Sequence, residues 1–370
     1  MVSVVPCPDY SEKNCRRALE TALADVGGLD WVKHGMRIGI KANLVSLMKP
    51  EAAATTHPAL ICALVRLLRE RGADVVVGDS PGGLFTAVYV DRIYAAAGMK
   101  DAQKAGAILN NNYSIARADF PGAVSAKKFE YTAWLDECDA VINFCKLKTH
   151  GMMGMSAAVK NMFGASPGTR KPEMHYQFPA AGDFANMLVD LNEYFRPALH
   201  IVDAVVGMEG NGPTMGTPRE IGCVIAGKSP YEVDQVCARI IGVNENDVPT
   251  MTAARKRGLA PENPDISGDI SGFIVSDFTP AVRRDIRFMN GSPLGSILSA
   301  FLRARPALIG AKCVGCAECA KVCPAKAITM KNRHPVIDRR SCISCFCCQE
   351  FCPRGAMVSK RPVVARFLSK

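Results

Sequence analysis

Two runs of cysteines near the C-terminus have the spacing to hold iron–sulfur cubanes. Cys313, Cys316, Cys319 and Cys323 are followed by Pro324, and Cys342, Cys345, Cys348 and Cys352 by Pro353. Both read C-x2-C-x2-C-x3-C-P, with Cys342 standing 29 residues beyond Cys313. The match continues past the cysteines, Ala327 falling on Ala356 and Ile328 on Met357. Three thiolates spaced in this way can wrap three irons of one cubane from a single loop, and the fourth cysteine is carried to the other cluster. The spacing therefore assigns Cys313, Cys316, Cys319 and Cys352 to one 4Fe–4S cluster, and Cys342, Cys345, Cys348 and Cys323 to a second. This is the pattern of a bacterial two-cluster ferredoxin. A bare C-x2-C also serves zinc knuckles, but here the spacing occurs twice with its proline and no histidine stands at zinc-ligand distance in the chain. Cys347 falls outside the ligand spacing and reads as a packing residue, or one whose weak S–H bears on a cluster's potential.

A second set of chemistry-bearing residues precedes these, each group in or just after a short apolar run. Asn43 follows MRIGIK, and Asp79, Ser80, Pro81, Gly82 and Gly83 follow DVVVG. Lys146, Lys148, Thr149 and His150 follow AVINFC. Asp203 lies within LHIVDAV, and Glu209, Gly210, Asn211, Gly212 and Pro213 come soon after it. Lys146 and Lys148, with Lys41 and Lys160, suit an anion such as a carboxylate or phosphate. Gly151 and Gly154 precede a short helix expected to be capped by Ser156, with N–H groups free for that anion. Asp79, Asp203 and Glu209 are acidic counterweights, and His150 and His175 are the candidates for proton transfer near neutral pH. Asn43, Ser80, Gly82, Gly83, Asn161, Glu209 and Asn211 are the expected contacts to a further small-molecule cofactor or ligand. Each group has a plainer reading, since glycine-rich loops shape turns and lysines are usually solvated. What favours a site is that four separate loops carry such residues at equivalent places.

The elements that would position them are those of an α/β sheet. Residues 36–41 read as a strand, and Thr56 as the cap of a helix from Pro58 to Arg71 with Leu60, Leu64, Leu67 and Leu68 in one stripe. Residues 74–78 form the next strand, so the pair is a βαβ unit and the sheet is at least partly parallel. Further strands are expected at 140–145, 199–205 and 221–226, and helices at 156–163, 184–194 and 231–241. In such a sheet the carboxyl ends of the strands share one edge, where ligands bind. Residues 1–290 make this domain and 291–310 a linker with a helix over 294–302. A ferredoxin-like α+β module follows at 311–358, then a basic tail at 359–370.

Several chemistries are excluded. Gly164 to Gly168 matches G-x-S-x-G, but Pro167 after the serine has no N–H for an oxyanion hole. No Walker A run, H-E-x-x-H or dinucleotide fingerprint occurs. The formal charge of +10 falls to roughly +6 with eight thiolates and two oxidised cubanes, and favours acidic partners or anionic substrates. Lys and Arg are spread without the aromatic interleaving of a nucleic-acid binder. The eight cysteines outside the two ligand sets, of 16 in the chain, form no secreted disulfide framework and suit a reducing cytoplasm. No leader pattern is visible, and no apolar stretch approaches the ~20 residues of a membrane span.

The chain resembles the domain-of-unknown-function family 362, whose members are labelled iron–sulfur cluster-binding proteins. The resembling stretches are Ile40 to Asn43, Thr56 to Pro58, Val77 to Gly83, Lys146 to His150, Ala158 to Asn161 with Phe163 and Gly164, and Gly207 to Pro213. Ala42 departs from the proline of many relatives and leaves Lys41 and Asn43 in place. The resemblance implies the architecture and supplies no reaction. The expected function is therefore iron–sulfur electron transfer, in one of three forms. The first is an oxidoreductase passing electrons between an acidic carrier of ferredoxin or flavodoxin type and a small anionic substrate. The second is an adaptor for a partner complex, and the third a binder of a metal or cofactor.

Overall fold

A computed structural model describes residues 1–282 and 303–361. The helix expected over 294–302 and the tail from residue 362 lie outside the described residues. The long domain is built on a mixed, mostly parallel sheet with helices against it. Its strands are β1 (Val2–Pro6), β2 (Arg37–Lys41), β3 (Asp74–Gly78) and β4 (Ile108–Leu109). After a separate antiparallel hairpin of β5 (Ile115–Asp119) and β6 (Lys128–Thr132) come β7 (Ala140–His150), β8 (Gly154–Ser156), β9 (Leu199–Glu209), β10 (Thr217–Gly227) and β11 (Ile266–Ser267). The order across the sheet is β11-β1-β10-β9-β7-β2-β3-β4, with β8 paired to the end of β7.

The β2 strand pairs in parallel with β3 on one side and β7 on the other. Its Ile38 and Ile40 on one face and Gly39 and Lys41 on the other are all buried, because helices cover the sheet and leave no solvent face for a polar alternation. The chain runs outward from β2 to β3 and β4, then returns to add β7 on the opposite flank. Between β2 and β7 the connections diverge to opposite sides, which opens a crevice at the carboxyl ends of the strands. The helix Pro58–Glu70 joins β2 to β3 and buries Leu60, Leu64, Leu67 and Leu68; each contributes about 1.5–3 kcal/mol by leaving water. Its cap is His57, whose Nδ1 accepts from the Ala59 N–H at 3.2 Å, and not Thr56. The Thr56 hydroxyl instead accepts from the Asn43 N–H and donates to the Phe144 carbonyl, tying the ends of β2 and β7 together.

The C-terminal module repeats itself. Strands β12 (Arg305–Leu308) and β13 (Ile328–Lys331) recur one repeat later as β14 (His334–Ile337) and β15 (Met357–Lys360). They pair crosswise, β12 with β15 and β13 with β14. The short helices Glu318–Lys321 and Cys347–Glu350 are likewise equivalent. Even the left-handed positions correspond, Gly315 with Ser344, Ala317 with Phe346, and Lys326 with Gly355. Residues 305–308, expected in the linker, thus belong to the repeat.

Candidate functional site

Lys41 ends β2, Asp79 follows β3, and Lys148 and His150 lie in the last turns of β7, longer than the run at 140–145 suggested. The β7 extension is held by β8 on one side, where Lys148 faces Ser156. Lys41, Asp79 and Lys148, together with Asn43, Gly82, Ser156, Lys160, Asn161, Phe163, Lys171 and His175, line a cleft of about 670 Å³, counted with the solvent at its mouth, while His150 lies beside the cleft residue Glu350. Glu350 and Phe351, from the ferredoxin-like module, form part of its wall as well.

The lysines differ in what they touch. Lys41 Nζ is 2.7 Å from Asp79 Oδ1 and also donates to Asn161 Oδ1 and the Ala42 carbonyl. Both partners are buried, so the ion pair is closed; a Cβ at Gly164 would collide with the pair. Lys171 donates to the Ser80 carbonyl and lies over the Phe163 ring. Lys148, 1% exposed, donates to the Ala54 carbonyl at 2.6 Å and has no carboxylate at ion-pair distance among the described residues. Burial, then the charge of Lys160, brings its pKa down to about 7. The Lys160 amine makes no hydrogen bond or ion pair among the described residues and stands 5.3 Å from the Phe163 ring centre. Asn43 Oδ1 is also buried without a partner among the described residues. Against Lys41, Lys148, Lys160 and Lys171, the carboxylates of the cleft are Asp79 and Glu350. The excess of positive charge fits a small anion.

The two histidines sit in different surroundings. His150 Nδ1 accepts the N–H groups of Met152 and Met153 at 3.1 and 3.2 Å, which leaves the ring proton on Nε2. That nitrogen is 3.0 Å from Glu350 Oε1. Burial, aided by Lys160, pushes the imidazole down to about 4, so His150 is neutral and stands close to the carboxylate without a well-aligned hydrogen bond to it. His175 lies in the helix Lys171–Gln177, stacked on Phe184 with ring centres 4.3 Å apart.

Other expected residues stand away from the cleft wall. Lys146 is 2.9 Å from Asp203 and donates to the Tyr10 hydroxyl, which donates in turn to Asp203; the His57 N–H completes this buried group. Satisfied in this way, Lys146 and Asp203 brace the strand ends. Ser80 Oγ accepts from Gly168 N–H, Gly83 packs on Tyr89, and Glu209 accepts from the Thr279 N–H. The helix expected at 156–163 is α-helical over Ala158–Asn161 and continues as a 3-10 helix over Met162–Ala165, while Ser156 belongs to β8. Its N–H groups are not free: those of Ala158 and Val159 are held by the Asp234 carboxylate, at 2.7 Å for Ala158. Asn211 accepts from Gln349 Nε2 at 2.9 Å and so links the two domains.

The cysteines line two further cavities. One is walled by Cys313, Cys316, Cys319 and Cys352 with Leu308, Met330 and Met357. The other is walled by Cys323, Cys342, Cys345 and Cys348 with Ile328, Phe346 and Cys347. The Ala327 N–H is 3.2 Å from Cys323 Sγ, and the Ala356 N–H 3.2 Å from Cys352 Sγ. Four sulfurs per cavity, apolar walls and a backbone donor to the crossing cysteine fit a cubane thiolate set. Cys316 is exposed, whereas Cys345, Cys347 and Cys348 are buried.

Sequence reasoning missed Lys171, Phe163, Glu350 and Phe351. Lys171 stands in the same segment as His175, and Glu350 and Phe351 lie between two ligand cysteines, where the cluster motif drew the reading away from them.

Comparison with known proteins matches two stretches of the chain. Residues 38–239 match the family described as domain of unknown function (DUF362), and residues 306–353 match the 4Fe-4S dicluster domain. The chain is 30% identical over 285 residues to the thylakoid-associated protein sll1697 of Synechocystis sp., covering 73% of this chain and 83% of that one. A solved structure, the lactate racemase apoprotein from Thermoanaerobacterium thermosaccharolyticum, aligns with TM-score 0.40 and 12% identity over 66% of this chain. The chain spans 57% of that structure's length. Among the described residues no helix is long and apolar enough to cross a membrane. The chain belongs to the DUF362 family and carries a 4Fe-4S dicluster domain of the kind that serves iron–sulfur electron transfer.

Proposed function

We propose that the protein is a ferredoxin-fused oxidoreductase that passes electrons between a redox partner and a small anionic ligand in the lysine-lined cleft. The observation that supports this is the placement of the helix Cys347–Glu350. It carries the ligand candidate Cys348, runs into Cys352, and inserts Glu350 and Phe351 into the cleft wall. At Gly82 the approach is so close that a Cβ would stand 2.8 Å from the Phe351 ring. Bound to the two cysteine sets, 4Fe–4S clusters supply one-electron transfer.

The chain's own residues do the rest. Lys160 and Lys171 hold the anion, with Lys148 beside them, and Lys41 is spent on Asp79. His150, 3.0 Å from Glu350, packs the module against β7. The exposed Cys316, flanked by the exposed Arg333 and Arg354, faces outward to meet an acidic carrier, while Cys345 and Cys348 lie on the large-domain side. A covalently joined module keeps the local concentration of reducing equivalents high at the cleft.

The test is re-oxidation of the anaerobically reduced, cluster-loaded protein, followed by its visible absorbance against a panel of small carboxylates and phosphate esters. An acceptor for the cleft should speed re-oxidation in the wild type, and Lys160→Met or His150→Gln should remove that increment with iron content unchanged. Equal rates in wild type and both variants with every acceptor would dismiss the reading.

A further inference from the structure

Three buried lysines stand at the ends of β2 and β7, and two of them are matched to carboxylates. Lys41 lies 2.7 Å from Asp79 and Lys146 2.9 Å from Asp203. Lys148, equally buried, has only the Ala54 carbonyl among the described residues. It lines the cleft, as does Lys160, which has no hydrogen bond or ion pair among the described residues. An ammonium without a counter-ion, out of water and beside another cation, gives up its proton, and the amine left behind is a nucleophile.

We infer that Lys148 is a reactive amine that condenses with the carbonyl carbon of an anionic ligand, such as a 2-oxo acid or an aldehyde carrying a phosphate, to form an imine. The inference rests on the reading of the cleft as an anion site and names the chemistry of what enters it. The amine nitrogen bonds to the carbonyl carbon, both nitrogen protons pass to the departing oxygen, and one water leaves. No electrons are exchanged in this step. Lys160 and Lys171 hold the carboxylate or phosphate, while the single carbonyl partner fixes Lys148 without neutralising it. A pKa near 7 leaves about half of the Lys148 side chains as free amine at neutral pH, against a far smaller fraction for a solvated lysine.

The test uses the cluster-loaded chain under anaerobic conditions with two probes, pyridoxal 5′-phosphate and glyoxylate, each trapped with cyanoborohydride and located by peptide mass spectrometry. Lys148 should be labelled on the order of tenfold faster than the exposed lysines. Lys148→Arg, which keeps the charge and loses the nucleophile, should abolish labelling in the cleft. Lys160→Met should raise the probe concentration needed for half-labelling. Labelling by both probes that follows surface exposure, with Lys148 unmodified, overturns the inference, as does cleft labelling that survives in Lys148→Arg. The measurement needs no electron delivery: loss of acceptor-dependent re-oxidation with Lys148 still labelled would sink the oxidoreductase reading alone, and the reverse pattern would sink the imine alone.

Discussion

Replacing Lys148 by methionine should make the protein more stable at neutral pH while emptying the cleft of its reactive amine. The folded chain withdraws this ammonium from water and returns one carbonyl bond at 2.6 Å. Burial, followed by Lys160, lowers its pKa from 10.5 to about 7, with Asp79 and Glu350 opposing. At about 1.4 kcal/mol per unit, folding gives up on the order of 4 kcal/mol at pH 7 to keep the residue. The unfolded chain holds the Lys148 proton up to the ordinary lysine range, while the folded chain releases it near 7. The cost is therefore fully present below pH 7 and fades as the pH rises toward 10.5.

Methionine has similar reach and no ammonium to desolvate, and imperfect packing should still leave a gain of about 2 kcal/mol, a rise of several degrees in apparent Tm. Thermal scans of the cluster-loaded wild type and Lys148→Met, at one scan rate and at about pH 7 and 9.5, read this directly. The variant should melt higher at pH 7 and its advantage should shrink at the higher pH. A variant that melts below the wild type at pH 7, or whose advantage is the same at both, refutes the assignment of Lys148 as a buried, uncompensated amine.

Asp79→Asn should act in the opposite sense, because it strands the Lys41 ammonium at 1% side-chain exposure; a loss of about 3–5 kcal/mol is expected from urea midpoints. Burial raises the Asp234 carboxyl to about 7 against the pull of the Ala158 and Val159 N–H groups. The wild type therefore loses stability as the pH climbs from about 4 to 7, and Asp234→Asn should gain on it over that range and hold a constant lead above it. Protein purified without air should carry about eight irons, and Cys316→Ser and Cys352→Ser should erase one paramagnetic signal while Cys323→Ser and Cys345→Ser erase the other, at about four irons each.

The parts of the site that could be read in the sequence are those set by local pattern. The strand ends at Lys41 and Gly78 followed from apolar runs, whereas β7 runs five residues past the apolar run that ends at Cys145, to His150; parallel pairing then brings these ends to one edge. What the pattern could not tell is which charges neutralise one another. Lys146 and Lys148 are two residues apart on one strand face, yet Lys146 meets Asp203 on β9 and Lys148 meets no carboxylate among the described residues. That difference depends on partners far away in sequence. The same holds for the helix Ala158–Asn161, whose donors looked available until Asp234, 76 residues from Ala158, filled them.

The two cluster repeats contain the signal that was overlooked. Superposed by their cysteines, Glu318, Ala320, Lys321 and Val322 fall on Cys347, Gln349, Glu350 and Phe351. In the first copy these positions behave as a solvated helix, Glu318 and Lys321 pairing at the surface with 43% and 66% of their side chains exposed. In the second copy Cys347 is 1% and Gln349 2% exposed, Gln349 bonds to Asn211, and Glu350 and Phe351 close the cleft. Cluster ligation alone places no demand on those side chains, since both copies meet it with the same backbone. Their divergence therefore marks which copy faces the large domain, and the ninth cysteine of the module follows from it. Cys347 stands where a solvated glutamate would be desolvated, a small apolar thiol in a buried position.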